Sequence, residues 1–552
     1  MEVVTDLKDL TYQLRRNQRG KSQVEVAAQF YNCGQSTTEL NSQFVNFLLL
    51  IDVFTRMESH PEDKCLFVDY CRRNFRKKMD LKFIDKFELD YSFKTAIQWY
   101  TRETFLYRLL NEALRKSNIE VLLLMRFFIA DIYRQLQIKD TEIPSDGKLY
   151  RAQLMYDEEF KRLQSLKGQL ISVKSFFSTS SAGPDSVRRF LKDDSDSPPV
   201  RHRVLFIIIA DPRVISSTPY ADVSKRSSIP EESEVLFMVG SIFRLNSIRQ
   251  VHDNGPLWEV HMSLCGDDEN NLKPYFERMK KGYGGGNSAA TSLTLADVLR
   301  EMQEYDLAID IYKKISSNRR SNDPSIPGLY KSLGIAHKDK GDYEKSYQYF
   351  DKALLAYKRA GEKRDYEVIA DLKIWIAETN RAQGKNDMAL TEYGEIIELF
   401  RQEHDEENDL LAHVYNNSGI IYKEMGKYNE ALQCHEKALE IRRKVLPANF
   451  PHIAASYNNM GNIYTLLKTY DRSLDSHLHA LEIRKKCFPP EHIEIGHSYR
   501  NIGQVYHTLS DWKAAMDFYR QAEPIYEHSL SAEDPFMIDL QNEMTSVQSE
   551  ME

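Results

Sequence analysis

The chain has 552 residues, of which 42% are hydrophobic and 28% charged, and its formal net charge at pH 7 is −8. This composition is ordinary for a folded globular protein, and the length predicts two or three domains, because single cores rarely grow beyond about 250–300 residues. The acidic balance lacks the basic footprint of a strong nucleic-acid binder, so we expect no DNA or RNA partner.

Neither a membrane segment nor a secretion signal is predicted. The longest apolar runs, such as Phe47–Ile51 and Val121–Met125, are far shorter than the roughly 20 residues that cross a bilayer. The first ten residues lack the basic start and the apolar core of a signal peptide. The six cysteines form no Cys-x-x-Cys pair and no dense disulfide framework, which favours a reducing compartment. We therefore expect a cytoplasmic protein without membrane association.

Residues 1–75 predict no definite fold. The segment Asn32–Ser42 is typical of a loop, and the apolar run Phe44–Phe54 fits either a helix or a buried strand. The following segments, Tyr91–Ser117 and Asn118–Gln137, have the apolar spacing of two long amphipathic helices. A helical subdomain is therefore predicted ahead of the first strands.

Between Lys148 and Leu264 the pattern changes to short β-branched and aromatic runs separated by turn residues. The predicted strands are Leu149–Gln153, Leu170–Phe177, Val204–Ala210, Val235–Leu245 and Leu257–Leu264. Helical patterns are few and short, and surface loops separate the strands: the helices are Tyr156–Lys167 and Pro184–Leu191, and the loops are Asp193–Pro199 and Ser216–Ser228. This order predicts a compact α+β domain built on a mixed or antiparallel sheet.

An acidic cluster leads directly into one of these strands. Glu232 and Glu234 border the apolar run Val235–Leu245, and the side-chain period of two on an extended backbone places them on one face, with Ser233 on the other. Two carboxylates on one face at a strand entrance can act together on one electrophile. The alternative is a polar turn before a strand, because exposed acids are common.

Residues 266–291 carry acids, a Lys-Lys pair and the glycine-rich run Gly282–Gly286. No strand precedes this run and no Gly-Lys-Ser/Thr follows it, so a flexible linker is favoured over a phosphate-binding loop. The predicted division is therefore an N-terminal segment at 1–75, a domain at 76–265, a linker at 266–291 and a C-terminal half from 292.

The C-terminal half is repetitive. Stretches of the form Tyr-x-Asn-x-Gly place Gly419, Gly461 and Gly503 at intervals of 42 residues, and looser units precede them. Since a single helical hairpin cannot bury its own apolar face, the pattern predicts five or six stacked hairpins over residues 292–530, followed by a tail at 531–552.

These units resemble the tetratricopeptide repeat (TPR), and their period, longer than the usual length of about 34 residues, is similar to the kinesin-light-chain type. The resemblance implies a concave groove, lined by the first helices, that binds a peptide. Asn417, Asn459 and Asn501 occupy one phase of successive first helices, so they could form a ladder of amides that bonds to a peptide backbone. Surface asparagines without a ligand are the equal alternative.

Three separated motifs of the α+β region occur in order. They are Tyr150-Arg151, an aromatic strand that ends in Ser178 and further hydroxyls, and the pair Glu232 and Glu234. Taken singly, Arg151 fits a surface charge and Ser178 a strand cap. Together, and with the upstream Trp-Tyr-Thr and Leu-Asn-Glu-Ala-Leu-Arg stretches, they resemble the Arg-Ser-Glu class of mono-ADP-ribosyltransferases over about residues 85–264.

The resemblance implies transfer of ADP-ribose from NAD to arginine of acceptor proteins, and it leaves open whether NADP also serves as co-substrate. Arg151 would hold an NAD phosphate, for which a planar guanidinium is suited. Ser178 would brace the nicotinamide side. Glu234 would stabilise the positive charge that develops on the ribose, and Glu232 would engage the acceptor arginine and take its proton. No metal is implied, and the histidines His202, His252 and His261 have no metal-ligand spacing.

Two other functions stay open. The family's first motif usually reads Tyr-Arg-Gly, whereas this chain has Ala152, which leaves a degenerate domain in a TPR scaffold as one alternative. The other is an NAD glycohydrolase, in which water replaces the acceptor. Tyr220, in the loop before the glutamates, is either an acceptor contact or an ordinary surface aromatic.

Overall fold

The computed structural model describes residues 30–32, 39–102, 104–138, 146–191, 201–211, 213–214, 218–252, 256–266, 276, 279–283, 289–320, 323–360, 366–530 and 534–551. Its internal contacts divide the chain into two compact units, with the division between Ile311 and Tyr312. The predicted linker at 266–291 lies upstream of that division. In its described part, Lys280 pairs with Asp52 at 2.9 Å. The predicted loop Asp193–Pro199 lies outside the described residues.

Helices form the N-terminal part of the first unit. Their bounds are Glu39–Arg56, Pro61–Asn74, Lys78–Asp90, Ala96–Tyr100, Phe105–Arg115, Ile119–Leu124 and Arg126–Leu136. The run Phe44–Phe54 is therefore helical. The two long helices predicted between Tyr91 and Gln137 are wrong in length. Each predicted segment is divided, the first between Tyr100 and Phe105 and the second at Met125. The break between the two segments lies where it was predicted: Ser117 has a left-handed φ of 49°, and Asn118 caps the next helix by accepting from the Val121 N–H.

The short helix Ala96–Tyr100 anchors one wall of the site described below. Trp99 and Tyr100 are 2% and 0% exposed, because their rings pack into the helical core. The two residues that follow, Thr101 and Arg102, are held directly beside this anchor.

Nine strands among the described residues form one mixed sheet, in the order β1-β3-β8-β9-β5-β2-β4-β7-β6. The strands are β1 (Phe30–Asn32), β2 (Lys148–Tyr156), β3 (Leu170–Val173), β4 (Phe177–Ser180), β5 (Arg201–Ile209), β6 (Tyr220–Asp222), β7 (Glu234–Phe237), β8 (Ile242–His252) and β9 (Pro256–Leu264). Only β5 and β9 pair in parallel among them. Apolar side chains from these strands, including Leu149, Phe206 and Val260, bury a common core. The predicted α+β fold class is confirmed.

Two predicted strands are each divided in two. The segment Val235–Leu245 contains most of β7 and the start of β8, separated by a turn at Gly240, whose φ is 89°. The segment Leu170–Phe177 contains β3 and the first residue of β4. The turn after β7 is itself buried and apolar, with Met238 and Val239 each 2% exposed. Hydrophobicity therefore continues through the turn, which is why the pattern did not indicate the break.

The second unit is a helical array. Five hairpins occupy residues 326–529 of the described chain, and a single helix follows them, within the segment predicted as a tail. The paired helices are Ile326–Asp339 with Tyr343–Ala360, Tyr366–Ala382 with Asn386–Gln402, Asp409–Glu424 with Tyr428–Val445, Pro451–Leu466 with Tyr470–Cys487, and Ile493–Thr508 with Trp512–Ser529, followed by Pro535–Met551. Earlier in the chain, helix Ser292–Glu301 belongs to the first unit, and helix Tyr305–Ser317 contains the division between the units. The predicted all-α superhelix is confirmed.

The repeated glycines mark the closest approach of the two helices in a hairpin. A Cβ at Gly461 would lie 2.7 Å from the ring of His477, so only glycine lets this ring lie on the backbone of the first helix. The same contact recurs between glycine and a ring 16 residues later: Gly334 with Phe350, Gly419 with His435, and Gly503 with Tyr519. The 42-residue period is thus the period of one packing contact.

None of the described helices combines the length and the apolar character that crossing a membrane requires. The described cysteines, Cys65, Cys71, Cys265, Cys434 and Cys487, are free thiols.

Candidate functional site

Three adjacent strands carry three of the predicted site residues. Arg151 lies on β2, Ser178 on β4, and Glu234 is the first residue of β7. The order β2-β4-β7 makes these strands neighbours, and Ser180 pairs with Tyr150 on one side and with Glu234 on the other. Together with Glu232, the three residues line one cavity of about 330 Å³. Residues from three separated stretches of sequence therefore share one site.

Arg151 is held by a hydrogen bond and by an aromatic ring. Its Nη1 donates to the backbone oxygen of Ser178 at 2.8 Å, and its guanidinium lies 5.0 Å from the centre of the Phe177 ring. Its Nε is buried and has no hydrogen-bond partner among the described residues. Because an unsatisfied buried donor is unfavourable, this guanidinium is suited to an anion that enters the cavity.

Glu234 is a buried carboxylate, 6% exposed, that is held at both oxygens. Ser178 Oγ donates to Oε1 at 2.6 Å, and Ser227 Oγ donates to Oε2 at 3.2 Å. Burial raises the pKa of Glu234 above its ordinary value, and the hydrogen bonds from the two serines act in the opposite direction. Glu232 raises this pKa further, whereas Arg151 lowers it.

The predicted placement of Glu232 on a strand is wrong. Pro230–Glu232 forms a turn of 3-10 helix, and Ser233 has a left-handed φ of 47°, so β7 begins only at Glu234. The period of two therefore does not relate the two glutamates. Both nevertheless line the cavity, because the left-handed residue turns the chain sharply between them. The Glu232 backbone oxygen accepts from Ser180 Oγ at 2.6 Å, which fixes the turn to β4.

Sequence reasoning missed two residues of the site, Ser227 and Arg102. Ser227 lies in the predicted loop Ser216–Ser228, and only the pairing of β6 with β7 folds this loop back onto Glu234. Arg102 lines the cavity with its guanidinium 4.5 Å from the Trp99 ring centre, and it has no ion pair among the described residues. Neither contact follows from spacing along the chain.

Two other residues named from the sequence have defined surroundings. Ala152 lines the cavity and pairs with Leu205 in the regular β2–β5 ladder, so its methyl group does not disturb the strand. Tyr220 stacks on Phe237, with ring centres 4.9 Å apart and an angle of 12° between the planes. The Tyr220 ring therefore packs on the sheet and is not among the residues that line the cavity.

The asparagines of the array bond between successive units. Asn459 Nδ2 donates to Asn416 Oδ1 at 3.0 Å, and Asn501 Nδ2 donates to Asn458 Oδ1 at 2.8 Å. Asn417, in the same phase, contacts His413 Nε2 at 3.0 Å. The three predicted asparagines therefore do not bond to one another, and Asn459 and Asn501 each use one donor on an asparagine of the preceding unit.

Two histidines of the sheet, His202 and His261, have carboxylate partners. His202 lies 3.0 Å from Asp157 and His261 lies 3.4 Å from Glu259. Within the described part of the chain, no cluster of three or more His, Cys, Asp or Glu side chains is arranged to hold a metal ion.

Comparison with known families assigns the array. The tetratricopeptide repeat family matches residues 368–444 and 452–528, and a second match to tetratricopeptide repeats covers residues 329–358. The C-terminal helices are therefore a TPR array. The TPR repeat-containing protein MJ1428 of Methanocaldococcus jannaschii is 24% identical over 210 residues, which are 37% of this chain and 34% of that protein. The chain thus spans about a third of the length of this relative.

Solved structures similar to parts of this chain are of two kinds. BtubC (BKLC) from P. vanneervenii has a TM-score of 0.36 and 21% identity, covering 40% of this chain and 88% of that chain. The TPR-like repeats of a putative kinesin light chain from Podosopora anserina have a TM-score of 0.33 and 16% identity, covering 37% of this chain and 96% of that chain. The ADP-ribosyltransferase Vis, in complex with agmatine, has a TM-score of 0.26 and 19% identity, covering 39% of this chain and 89% of that chain. At TM-scores below 0.5, these likenesses assign no function to this chain.

Proposed function

We propose that the sheet domain is an NAD-dependent mono-ADP-ribosyltransferase specific for arginine, and that the TPR array is the protein-binding module of the same chain. The observation that carries the proposal is a chain of hydrogen bonds in one cavity, from Arg151 to the Ser178 backbone and from the Ser178 hydroxyl to Glu234, with Glu232 on the same cavity wall. This arrangement combines a cation for phosphate with paired acids for glycosyl transfer.

The charges of the cavity fit a dinucleotide substrate. NAD carries a diphosphate, and two guanidinium groups, those of Arg151 and Arg102, line the cavity. The unsatisfied Nε of Arg151 and the unpaired state of Arg102 among the described residues both suit an incoming anion. The described lining contains no further cation for the additional phosphate of NADP, which favours NAD. The volume of about 330 Å³ lies at the lower end of the range of about 300–1,000 Å³ that small-molecule sites occupy.

Glu234 would act on bond cleavage. When the bond between ribose C1′ and nicotinamide breaks, nicotinamide leaves as a neutral molecule with the bonding electron pair, and positive charge develops on the sugar. An ionised carboxylate fixed beside the ribose stabilises that charge, as in glycoside cleavage. The Ser178 hydroxyl donates to Glu234 at 2.6 Å, which both orients the carboxylate and favours its ionised form.

Glu232 would act on the acceptor. An arginine guanidinium is protonated at neutral pH and is a poor nucleophile, so its proton must leave as the nitrogen forms its bond to C1′. Glu232 is half-buried at the same cavity, where it would orient the guanidinium and accept this proton. The products are nicotinamide, ADP-ribosylated arginine and one proton.

The array would bring protein partners to the chain. An asparagine side chain has two donor hydrogens and an acceptor oxygen, and the amide of Asn459 uses one donor on Asn416. The remaining groups of Asn417, Asn459 and Asn501 would bond to the backbone of a peptide in the groove.

The test is the fate of NAD labelled in its ADP-ribose part, incubated with the full chain and an arginine-containing acceptor protein. Transfer predicts label on arginine of the acceptor protein. Free ADP-ribose without labelled protein would indicate a glycohydrolase instead, and intact NAD would indicate a degenerate domain. Glu232→Gln should lose transfer and keep hydrolysis. If this variant still labels arginine at the wild-type rate, the role given to Glu232 is wrong.

A further inference from the structure

The loop between β6 and β7 places one buried hydroxyl against Glu234. Ser227 is 6% exposed, and its Oγ donates to Glu234 Oε2 at 3.2 Å. The same Oγ accepts from the Ile229 N–H at 3.2 Å. The hydroxyl is therefore bonded on one side to a side-chain carboxylate and on the other to the backbone just before the turn that carries Glu232.

Backbone bonds on both sides of this contact hold it in place. The Ser227 N–H donates to the Val223 oxygen at 2.7 Å, and the Val223 N–H donates to the Glu234 oxygen at 2.8 Å. The next residue, Ser228, donates its N–H to Thr101 Oγ1 at 2.8 Å. Hydrogen bonds of the backbone therefore hold the loop in place on both sides of the contact between Ser227 and Glu234.

The single proton of the Ser227 hydroxyl determines which group donates in this contact. A serine hydroxyl has one proton to donate, and that of Ser227 goes to Glu234 while one lone pair is taken by Ile229. Ser178 donates its single proton to the other oxygen, Oε1. Each carboxylate oxygen therefore receives one neutral donor and keeps a lone pair for a substrate hydroxyl. Both hydrogen bonds stabilise the negative charge of Glu234, so the arrangement favours the carboxylate over the neutral acid.

We propose that Ser227 is a positioning residue of the site, which holds the Glu234 carboxylate in one orientation and sets the register of the Glu232 turn against it. The inference rests on the proposed transferase function and adds a residue that acts on both acids. Ser227 does not touch the reacting atoms, and it acts through Glu234 and through the Ile229 N–H.

A neighbouring serine, Ser181, provides a control for a purely structural role. Ser181 Oγ donates to the Ser233 backbone oxygen at 3.1 Å, so it fastens the same turn to β4 without a bond to either glutamate side chain. Removal of the Ser181 hydroxyl tests what fastening the turn contributes. Removal of the Ser227 hydroxyl tests that contribution together with the contact to the carboxylate.

The experiment compares Ser227→Ala, Ser227→Thr and Ser181→Ala in the full chain, with NAD and arginine methyl ester as acceptor. Loss of the donor disfavours ionised Glu234, so Ser227→Ala should move the acid limb of the kcat/KM profile for NAD to higher pH by about half a unit or more. It should also lower the ratio of transfer to hydrolysis several-fold. Ser227→Thr keeps a hydroxyl and should restore both, and Ser181→Ala should leave the acid limb unchanged. Wild-type values of limb and ratio in Ser227→Ala would overturn the inference.

A second measurement separates this inference from the transferase proposal. Unfolding free energies of the wild type, Ser227→Ala, Glu234→Gln and the double variant form a cycle that needs no turnover. Effects of the two single variants that fail to add would support the positioning contact, and additive effects would count against it. If the chain never consumes NAD, the transferase proposal fails on its own, and this cycle still decides whether Ser227 positions Glu234.

Discussion

The two units of this chain carry their functional information in different ways. In the array, one contact, a ring against a glycine 16 residues before it, is made in four of the five described hairpins. In the sheet domain, the cavity is made once, from residues on β2, β4 and β7 that become neighbours only when the sheet forms. The comparison shows that repetition can be detected from spacing alone, whereas a site formed by convergence requires the strand order.

The largest expected effect is a loss of stability of the array at acidic pH. His435 and His477 are each 1% exposed, with Nδ1 buried and unpartnered within the described residues, and burial lowers the pKa of each to about 4. In the unfolded chain a histidine has a pKa near 6.5. Below that pH the unfolded chain binds a proton that the buried rings do not, so the free energy of unfolding is highest above pH 6.5 and decreases as the pH falls toward 4. Between pH 7 and pH 5 the loss should be about 2 kcal/mol for each histidine.

This acid sensitivity is checked by denaturant unfolding of the full chain at pH 7 and pH 5. The other units place Phe350 and Tyr519 at the same position, so a variant with His435→Phe and His477→Phe is the matched control. That variant should lose far less array stability over the same interval. An equal loss in both proteins would show that the histidines are not the cause.

The next effect concerns the sheet domain. Arg151→Ala removes the half-buried guanidinium that the Ser178 backbone and the Phe177 ring hold in place. Loss of one partner of a charge-assisted contact out of full solvent costs about 2–5 kcal/mol, so kcat/KM for NAD should fall by about one and a half to three and a half orders of magnitude. Arg151→Lys keeps the charge without the planar fork and should recover only part of the activity. Array unfolding should be unchanged in both variants, and a kcat/KM within threefold of wild type in Arg151→Ala would contradict the assignment.

A smaller effect should separate two glycines of the array. Gly461→Ala puts a methyl group within 2.7 Å of the His477 ring, and overpacking of this kind destabilises by about 1–3 kcal/mol. Gly394 lies inside the helix Asn386–Gln402 with no atom within 4 Å of the place its Cβ would take, so Gly394→Ala should stabilise by up to about 1 kcal/mol. Thermal unfolding of the two variants should therefore shift in opposite directions. Shifts in the same direction would show that close packing does not explain why glycines recur at intervals of 42 residues in this chain.

The smallest expected effect concerns Arg102. Its guanidinium is held over the Trp99 ring at 4.5 Å and lines the cavity without an ion pair among the described residues. An exposed charge contact to a diphosphate contributes about 1 kcal/mol, so Arg102→Ala should raise KM for NAD by about fivefold to tenfold and leave kcat nearly unchanged. A change in kcat without a change in KM would place Arg102 in the reaction and not in binding.

Much of the fold could be predicted, and the reasons for the failures are physical. The α+β class and the helical array follow from patterns that burial imposes, and both are confirmed. The strand Val235–Leu245 was predicted as continuous because the turn at Gly240 is as apolar as the strands it joins. The helices before the sheet were predicted too long because a residue at one of their breaks, Met125, is buried and apolar and so continues the helical pattern across the break.

The site was less accessible to sequence reasoning than the fold. Arg151, Ser178, Glu232 and Glu234 were named from ordered motifs, and the structure places all four on one cavity. The geometry assumed for the glutamates was wrong, since a left-handed Ser233, and not an extended strand, relates them. Ser227 and Arg102 could not be named, because their contacts depend on how a loop and a short helix return to the sheet. Such returns have no period in the sequence.

The central claim is that Glu234 stabilises the cleavage of NAD in this cavity. Nicotinamide release from NAD by the full chain should be detectable in the wild type and should fall by at least about a thousandfold in Glu234→Gln, with or without a guanidino acceptor. Glu158→Gln makes the same charge change at an exposed residue of the same domain that does not line the cavity, and it should stay within about threefold of wild type. A thousandfold loss confined to Glu234→Gln is the result this account predicts. Equal nicotinamide release by Glu234→Gln and the wild type would contradict it.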